Sequence, residues 1–279
     1  MKKKIYLQSI IYILLIAGML IVVLPMVYML STSFKPNGAL YEFPPKFLPS
    51  LKEITIENYD YILKQSKFYI NFFNSLIVST VSVLLAAIIA SALGFVIARF
   101  QFPGKSILFA FIMLTMLIPG MTLILPQYEL AVKMNAINKL IGLIPFYTAW
   151  VIPYSTFMIK GFVENIPTEL DEAIYMDGGS IITVFTRVIL PLARAGIASV
   201  SIFNFLTAWE EFPWANTVIN DDKIRTLPIA ISGFFGQHQF TQWGYVFALS
   251  ALSLVPVLLI FIFFQRFFVA GLTAGSVKG

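Results

Sequence analysis

Residues 10–30 run through about 20 positions without a charge, the length at which an α-helix crosses the hydrocarbon of a bilayer. Further apolar runs follow at residues 72–98, 107–130, 140–162, 195–218 and 245–268. Inside a bilayer every backbone N–H and C=O must find its partner within the protein, so such runs become helices. The expected fold is an all-α polytopic membrane protein with six transmembrane helices. Composition agrees: 58% of the residues are hydrophobic and 12% charged, against roughly 25% charged in soluble domains. The chain cannot cover itself with polar surface, and no polar block is long enough to build a soluble domain.

The net charge of +5 comes from basic residues scattered along the flanks of the runs. That argues against nucleic acid, which needs a concentrated patch. Without cysteine there are no disulfides, thiolate metal sites or cysteine nucleophiles, and a single histidine excludes a histidine-rich metal site. Lys2, Lys3 and Lys4 precede the first run in the manner of a signal peptide. That run is long for a signal core, however, and no small-residue cleavage site follows Pro25-Met26-Val27. It reads as a retained first span with a cytoplasmic N-terminus, which also returns the C-terminus to the cytoplasm. With this topology ten of the 19 basic residues lie inside and nine outside, so orientation rests on the N-terminal lysines rather than on the count.

Residues 1–70 then comprise the first span and an extracytoplasmic loop, with one short helix near residues 57–63. Residues 71–279 form the transmembrane core. Asn71 and Asn74 at the mouth of the second span suit capping or solute contact. Pro119 and Pro126 in the third span and Pro145 and Pro153 in the fourth each free a carbonyl, and kinks of this kind occur both in solute paths and in ordinary helices. Gly104-Lys105-Ser106 imitates the end of a phosphate-binding loop, but Arg99 stands where the first glycine belongs and no strand precedes it.

The longest polar interruption of the second half is residues 165–192, NIPTELDEAIYMDGGSIITVFTRVILPL. Pro167 and Thr168 suit a helix start, with Asp171 three residues on completing a capping-box pattern. Leu170, Ala173 and Ile174, with Met176 as a further candidate, share a face, and Glu169, Asp171 and Glu172 load the first turn with acid. Gly178-Gly179 ends that helix, because glycine takes positive φ without a steric penalty. Ser180 then caps a second amphipathic helix through Ile181, Val184, Phe185 and Val188, which Pro191 closes. An amphipathic hairpin lying on the bilayer surface without a partner would show the same pattern.

Glu172-Ala173-Ile174, Asp177-Gly178-Gly179-Ser180 and Leu190-Pro191-Leu192 together resemble the EAA loop of ATP-binding-cassette (ABC) importer permeases. Ile174 stands for the second alanine and Gly179 for a small residue. The tail at residues 265–279 is similar to the ending of carbohydrate-type permeases, those like the smaller maltose permease subunit. Trp209-Glu210-Glu211-Phe212 and Thr226-Leu227-Pro228 extend the likeness over most of residues 71–279. The resemblance implies a permease subunit of a binding-protein-dependent importer in a bacterial inner membrane, forming half of a carbohydrate pathway, with an oligosaccharide expected. It implies a second homologous permease, two cytoplasmic ATPase subunits and an extracytoplasmic solute-binding protein as partners. ATP and Mg would be used by the ATPases, with no cofactor or metal on this chain and no catalysis by it. The loop would be a coupling helix seated in the ATPase, with Glu172, Ala173, Ile174, Asp177, Gly178, Gly179, Ser180 and Pro191 as its site residues.

Two other regions carry candidate contacts. The loop segment Phe234-Phe235-Gly236-Gln237-His238 combines glycine with aromatics able to stack on a sugar or meet a binding protein. Glu210 and Glu211 fall in the fifth run. Either they lie at membrane depth, where an acid must face water or a partner, or they sit at the interface. At depth they would suit a different class of protein, an ion-coupled secondary transporter. An intramembrane hydrolase lacks its dyad or metal cluster.

Overall fold

The computed structural model of the chain describes residues 2–41, 43–44, 46–235 and 241–274. Among these residues all regular structure is helical: α1 (Lys2–Ser33), α2 (Glu57–Lys64), α3 (Phe68–Arg99), α4 (Lys105–Thr115), α5 (Ile124–Lys133), α6 (Ile144–Glu164), α7 (Glu169–Met176), α8 (Ile181–Val184), α9 (Leu190–Trp209), α10 (Pro213–Val218), α11 (Leu227–Ser232) and α12 (Trp243–Ala274). Five stretches are long and apolar enough to span a membrane: Gln8–Ser33, Phe68–Arg99, Leu140–Glu164, Ile181–Trp209 and Trp243–Gln265. The pair Lys105–Thr115 and Gly120–Lys133 makes a sixth as a broken span, bent by 95°. The polytopic all-α fold is therefore as expected, and two of its spans differ from the simple apolar runs.

The third run is not one kinked helix. Pro119 is extended (φ −60°, ψ 124°), which interrupts the helix after α4, and Gly120 then opens a 3₁₀ turn leading into α5. A proline cannot donate to the preceding turn, so the two halves change direction there. The fifth span begins at Ile181 instead of near Ala195 and stops at Trp209. Pro191 does not close a separate amphipathic helix. A π turn over Phe185–Ile189 carries α8 into α9, with Pro191 at the start of α9, where its missing N–H is accommodated. The second half of the polar stretch is thus the first part of a span.

By contacts the chain divides into two units, Met1–Tyr69 with Ala230–Val255, and Ile70–Ile229 with Pro256–Gly279. In the first, buried Asn58 of α2 donates to the carbonyls of Ser33 (2.8 Å) and Lys35 (2.7 Å), tying α2 to the end of α1. Asn37 accepts from the Gly244 N–H at 2.8 Å, and Tyr61 stacks on Tyr245 with centroids 4.2 Å apart. Burial lowers the pKa of Lys35, whose ammonium donates to the Lys46 carbonyl. Hydrogen bonds from Lys46 and then Ser50 hold the Glu53 carboxyl down at about 2.

In the second unit α6 and α9 pack closely. Gly196 of α9 faces the Phe162 ring, and Asn204 donates to Ser155 Oγ at 2.8 Å inside the contact. Asn71 and Asn74 lie about one and two turns inside α3 and cap nothing. Both donate to the Arg225 carbonyl at 3.0 Å, and Ser75 accepts the Leu227 N–H at 2.8 Å, clamping the chain as it enters α11. Thr226 and Leu227 are accordingly buried where α11 begins.

Candidate functional site

The polar stretch is anchored at its start by a residue that lies far away in sequence. Thr168 has helical backbone angles (φ −71°, ψ −21°), and its side chain makes no cap bond. Asp171 turns instead to the end of α3, where its Oδ2 lies 2.7 Å from Arg99 Nε, with side chains only 11% and 8% exposed. Arg99 Nη2 also donates to the Ile166 carbonyl at 2.8 Å. One guanidinium thus holds both the turn before α7 and its first turn. In the sequence Arg99 stood out only as the residue that breaks the phosphate-binding-loop pattern. Its position at the end of one span, two spans before an acid-rich helix start, was the available signal.

The elbow has a specific geometry. Gly178 has φ +78°, its N–H donates to Tyr175 O at 3.0 Å, and the Gly179 N–H donates to Ile174 O at 2.8 Å. These two bonds are the Schellman pattern, which needs a left-handed residue at the first position past the helix. A Cβ on Gly178 would meet nothing within 4 Å, so conformation alone demands glycine there. Gly179 differs, since a Cβ would lie 2.4 Å from Ile174 Cγ2 and 2.8 Å from Ile174 O. Asp177 contributes its N–H to Ala173 O at 3.1 Å, and its carboxylate is exposed.

Ser180 then starts α8 with a reciprocal box. Its Oγ accepts the Thr183 N–H at 3.4 Å, and its own N–H donates to Thr183 Oγ1 at 3.2 Å. Ile174, Val184 and Phe185 press into a core with Phe95, Ile159 and Val163, which fastens the elbow onto α3 and α6. The opposite side is open. Glu172, Ala173 and Asp177 are exposed, Pro191 is exposed on α9, and Met176 at the tip is 88% exposed. An exposed apolar tip flanked by carboxylates thus stands on a turn held from both ends.

The two acids after α9 have distinct fates. Glu210 is exposed and ends α9, its N–H donating to Leu206 O at 3.0 Å. Glu211 is half-buried and bound by its own chain. It accepts Tyr147 Oη at 2.6 Å, the Trp214 N–H at 2.7 Å and the Ala215 N–H at 3.0 Å. It therefore caps α10, a use that the sequence reading did not consider. In the first unit Phe234 packs edge-on against Tyr61 and Tyr245, and half-exposed Phe235 against Trp243. Gly236, Gln237 and His238, and residues 275–279 of the tail, lie outside the described residues. Among the described residues no three His, Asp or Glu side chains gather to hold a metal ion.

The family model for the inner membrane component of binding-protein-dependent transport systems matches residues 90–273, which include α7, the elbow and the broken span. The chain belongs to this family. The permease is 35% identical over 260 residues to the diacetylchitobiose uptake system permease protein DasC of Streptomyces coelicolor, covering 92% of each chain. It is 30% identical to the arabinooligosaccharides transport system permease protein AraQ of Halalkalibacterium halodurans, covering 93% of this chain and 92% of that protein. It is also 30% identical to the trehalose/maltose transport system permease protein MalG of Thermococcus litoralis, covering 96% of this chain and 97% of that one. In fold the permease is similar to a chain of a bacterial ABC transporter involved in import of the acidic polysaccharide alginate. That match has a TM-score of 0.82 at 18% identity and covers 96% of this chain and 98% of the other. The permease is a multi-pass inner-membrane protein of a transport system that works with a solute-binding protein, and nothing found supports ion-coupled transport.

Proposed function

We propose that this permease forms half of the translocation pathway of an ABC importer for carbohydrate, with a short oligosaccharide as the transported species. The supporting observation is that relatives alignable over nearly the whole chain are named for diacetylchitobiose, arabinooligosaccharides and trehalose/maltose. A second, homologous permease would complete the pathway, and the binding protein would deliver solute on the side of residues 31–70 and the Phe234–Phe235 loop. The chain itself would perform no chemistry and hold no cofactor. Two cytoplasmic ATPase subunits would bind and hydrolyse ATP with Mg.

The α7 elbow is the proposed coupling element, and both termini would lie on its side of the membrane. Its mechanics follow from rigidity. Nucleotide-driven closure of the ATPases moves whatever they grip, and a grip transmits motion only through a segment that does not bend. The Arg99 fork at one end, the Schellman turn at the other and the Ile174–Val184–Phe185 contacts between them make α7 such a segment. Because α8 runs without a stop into α9, displacement of the elbow becomes rotation of the whole Ile181–Trp209 span. Met176 would fill an apolar recess of the ATPase, and Glu172 would meet a basic group at its rim.

The test is expression with the genomic neighbours, capture of the complex in detergent, and uptake of labelled oligosaccharides after reconstitution. Expected results are co-purification of an ATPase with the native chain, its loss with Glu172→Ala combined with Gly178→Val, and uptake that needs both ATP and the binding protein. A complex in which folded ATPases do not follow the permease would overturn the coupling role. Uptake that runs on an ion gradient without ATP would overturn the importer assignment.

A further inference from the structure

A cleft of about 440 Å³ opens beside the 95° break between α4 and α5, entirely within the second unit. Its walls include Ile118 and Met121 at the break, Gln127 on α5, Trp150 on α6, and Glu211 and Trp214 at the start of α10. The volume falls in the range of small-molecule sites, which are mostly apolar and aromatic with a few fixed polar groups.

Two polar groups on this wall have unused hydrogen-bonding capacity, while Trp214, 1% exposed, is packed behind it. Glu211 takes two of its three bonds on Oε2 and one on Oε1, so Oε1 keeps a free acceptor position while the carboxylate is fixed in place. The Gln127 amide is half-buried and makes no hydrogen bond among the described residues. Beside them Trp150 stacks on Tyr147 at 5.3 Å and meets Trp214 edge-on at 6.3 Å, so its ring is held in one orientation.

A lipid chain would satisfy none of these polar groups. A sugar ring satisfies all of them, because its C–H face lies on an aromatic ring while hydroxyls at its rim both donate and accept. We propose that this cleft contacts one uncharged sugar unit of the passing solute. Trp150 is the platform, Glu211 Oε1 accepts a hydroxyl proton, and the Gln127 amide donates or accepts. A carboxylate already on the wall repels an acidic sugar in this low-dielectric setting, which sets the charge preference. The proposal rests on the carbohydrate assignment above.

The chain contains no cysteine, so Gln127→Cys places a single thiol in the cleft. In the complete reconstituted importer with its binding protein, labelling of this chain by a small thiosulfonate is followed with maltose, trehalose, diacetylchitobiose, an arabino-oligosaccharide or digalacturonate present. Whichever neutral sugar the wild-type complex imports, supplied at about ten times its half-saturating concentration, slows labelling on the order of tenfold by mass action, while digalacturonate does not. In parallel, Trp150→Leu raises the KM for the same sugar about tenfold, equivalent to about 1.4 kcal/mol, and Trp150→Phe, which keeps a smaller aromatic face, raises it less. Import of a neutral sugar without protection of the thiol and with an unchanged KM in Trp150→Leu overturns the cleft and leaves the carbohydrate assignment standing. Protection by digalacturonate overturns the charge preference. A wild-type importer that carries none of the sugars overturns the assignment itself, and the cleft with it.

Discussion

The Arg99 guanidinium lies 2.7 Å from the Asp171 carboxylate and joins the last turn of α3 to the first turn of α7. Both partners sit at helix ends whose dipoles favour them, the cation at a C-terminus and the anion at an N-terminus. Both side chains are about nine-tenths covered, so water screens the pair weakly.

Asp171→Asn should therefore leave a buried guanidinium without its counter-charge. Removing one partner of a buried pair costs on the order of 3 kcal/mol, whereas replacing both with apolar groups costs far less. The expected order of thermal stability in detergent is wild type, then Arg99→Met with Asp171→Leu, then either single change. ATPase-coupled uptake should follow the same order. Single and double variants of equal stability would show that the pair does not hold α7.

The two glycines of the elbow should fail for different reasons. Gly178→Ala pays only the left-handed backbone cost, roughly 1–2 kcal/mol, and Gly178→Asn costs less because asparagine tolerates that region. Gly179→Ala drives a methyl into the Ile174 carbonyl, which the Schellman bond holds in place, so no side-chain change at position 174 relieves it fully. Uptake should fall in the order wild type, Gly178→Asn, Gly178→Ala, Gly179→Ala. Equal activity of Gly178→Asn and Gly178→Val would remove the conformational argument.

Six membrane segments were legible because apolar length is a local property, and so was the elbow, because glycine pairs and Ser180 act within a few residues. What could not be read was anything settled by a distant partner. The Asp171 spacing fits a capping box, yet the carboxylate leaves Thr168 for Arg99, 72 residues earlier in the sequence. Glu211 reads as a possible ion-pathway acid until Tyr147 and the α10 amides are seen to occupy it. The break at Pro119 and the run-through at Pro191 involve the same residue type with opposite results. At Pro119 the backbone goes extended before a glycine, and at Pro191 a π turn absorbs the missing donor. Proline marks a local problem, and packing chooses the solution.

Glu211 should be sensitive in a graded way. Tyr147→Phe removes one hydrogen bond to a charged acceptor, worth about 1.5–3 kcal/mol. Glu211→Gln keeps a single acceptor oxygen and presents an NH₂ to one of the two amides it capped, so it should cost at least as much. Glu211→Ala strips the α10 cap altogether and should be the least stable of the three in thermal unfolding. Uptake by the surviving variants should not respond to a collapsed proton gradient at constant ATP. A pH-gradient dependence that disappears in Glu211→Gln would instead mark this acid as a coupling site.

The crossing of α6 and α9 offers a test by compensation. A Cβ on Gly196 would fall 2.3 Å from the Phe162 ring, closer than any real contact, so Gly196→Ala must displace the ring or part the helices. Overpacking of this kind costs about 1–3 kcal/mol. Because α9 is continuous with the elbow through α8, a parted crossing should reduce ATPase-coupled uptake as well as stability. Phe162→Leu in the same chain removes the obstructing ring, and the double variant should regain more than half of the lost stability. The Asn204–Ser155 bond deeper in the contact serves as an internal reference, since it stays formed if only the ring moves. Cross-linking of cysteines placed at Ser155 and Asn204 should therefore be unchanged in the double variant and weakened in Gly196→Ala alone. Equal cross-linking in both, with full loss of uptake, would mean that the methyl acts on something other than the α6–α9 separation.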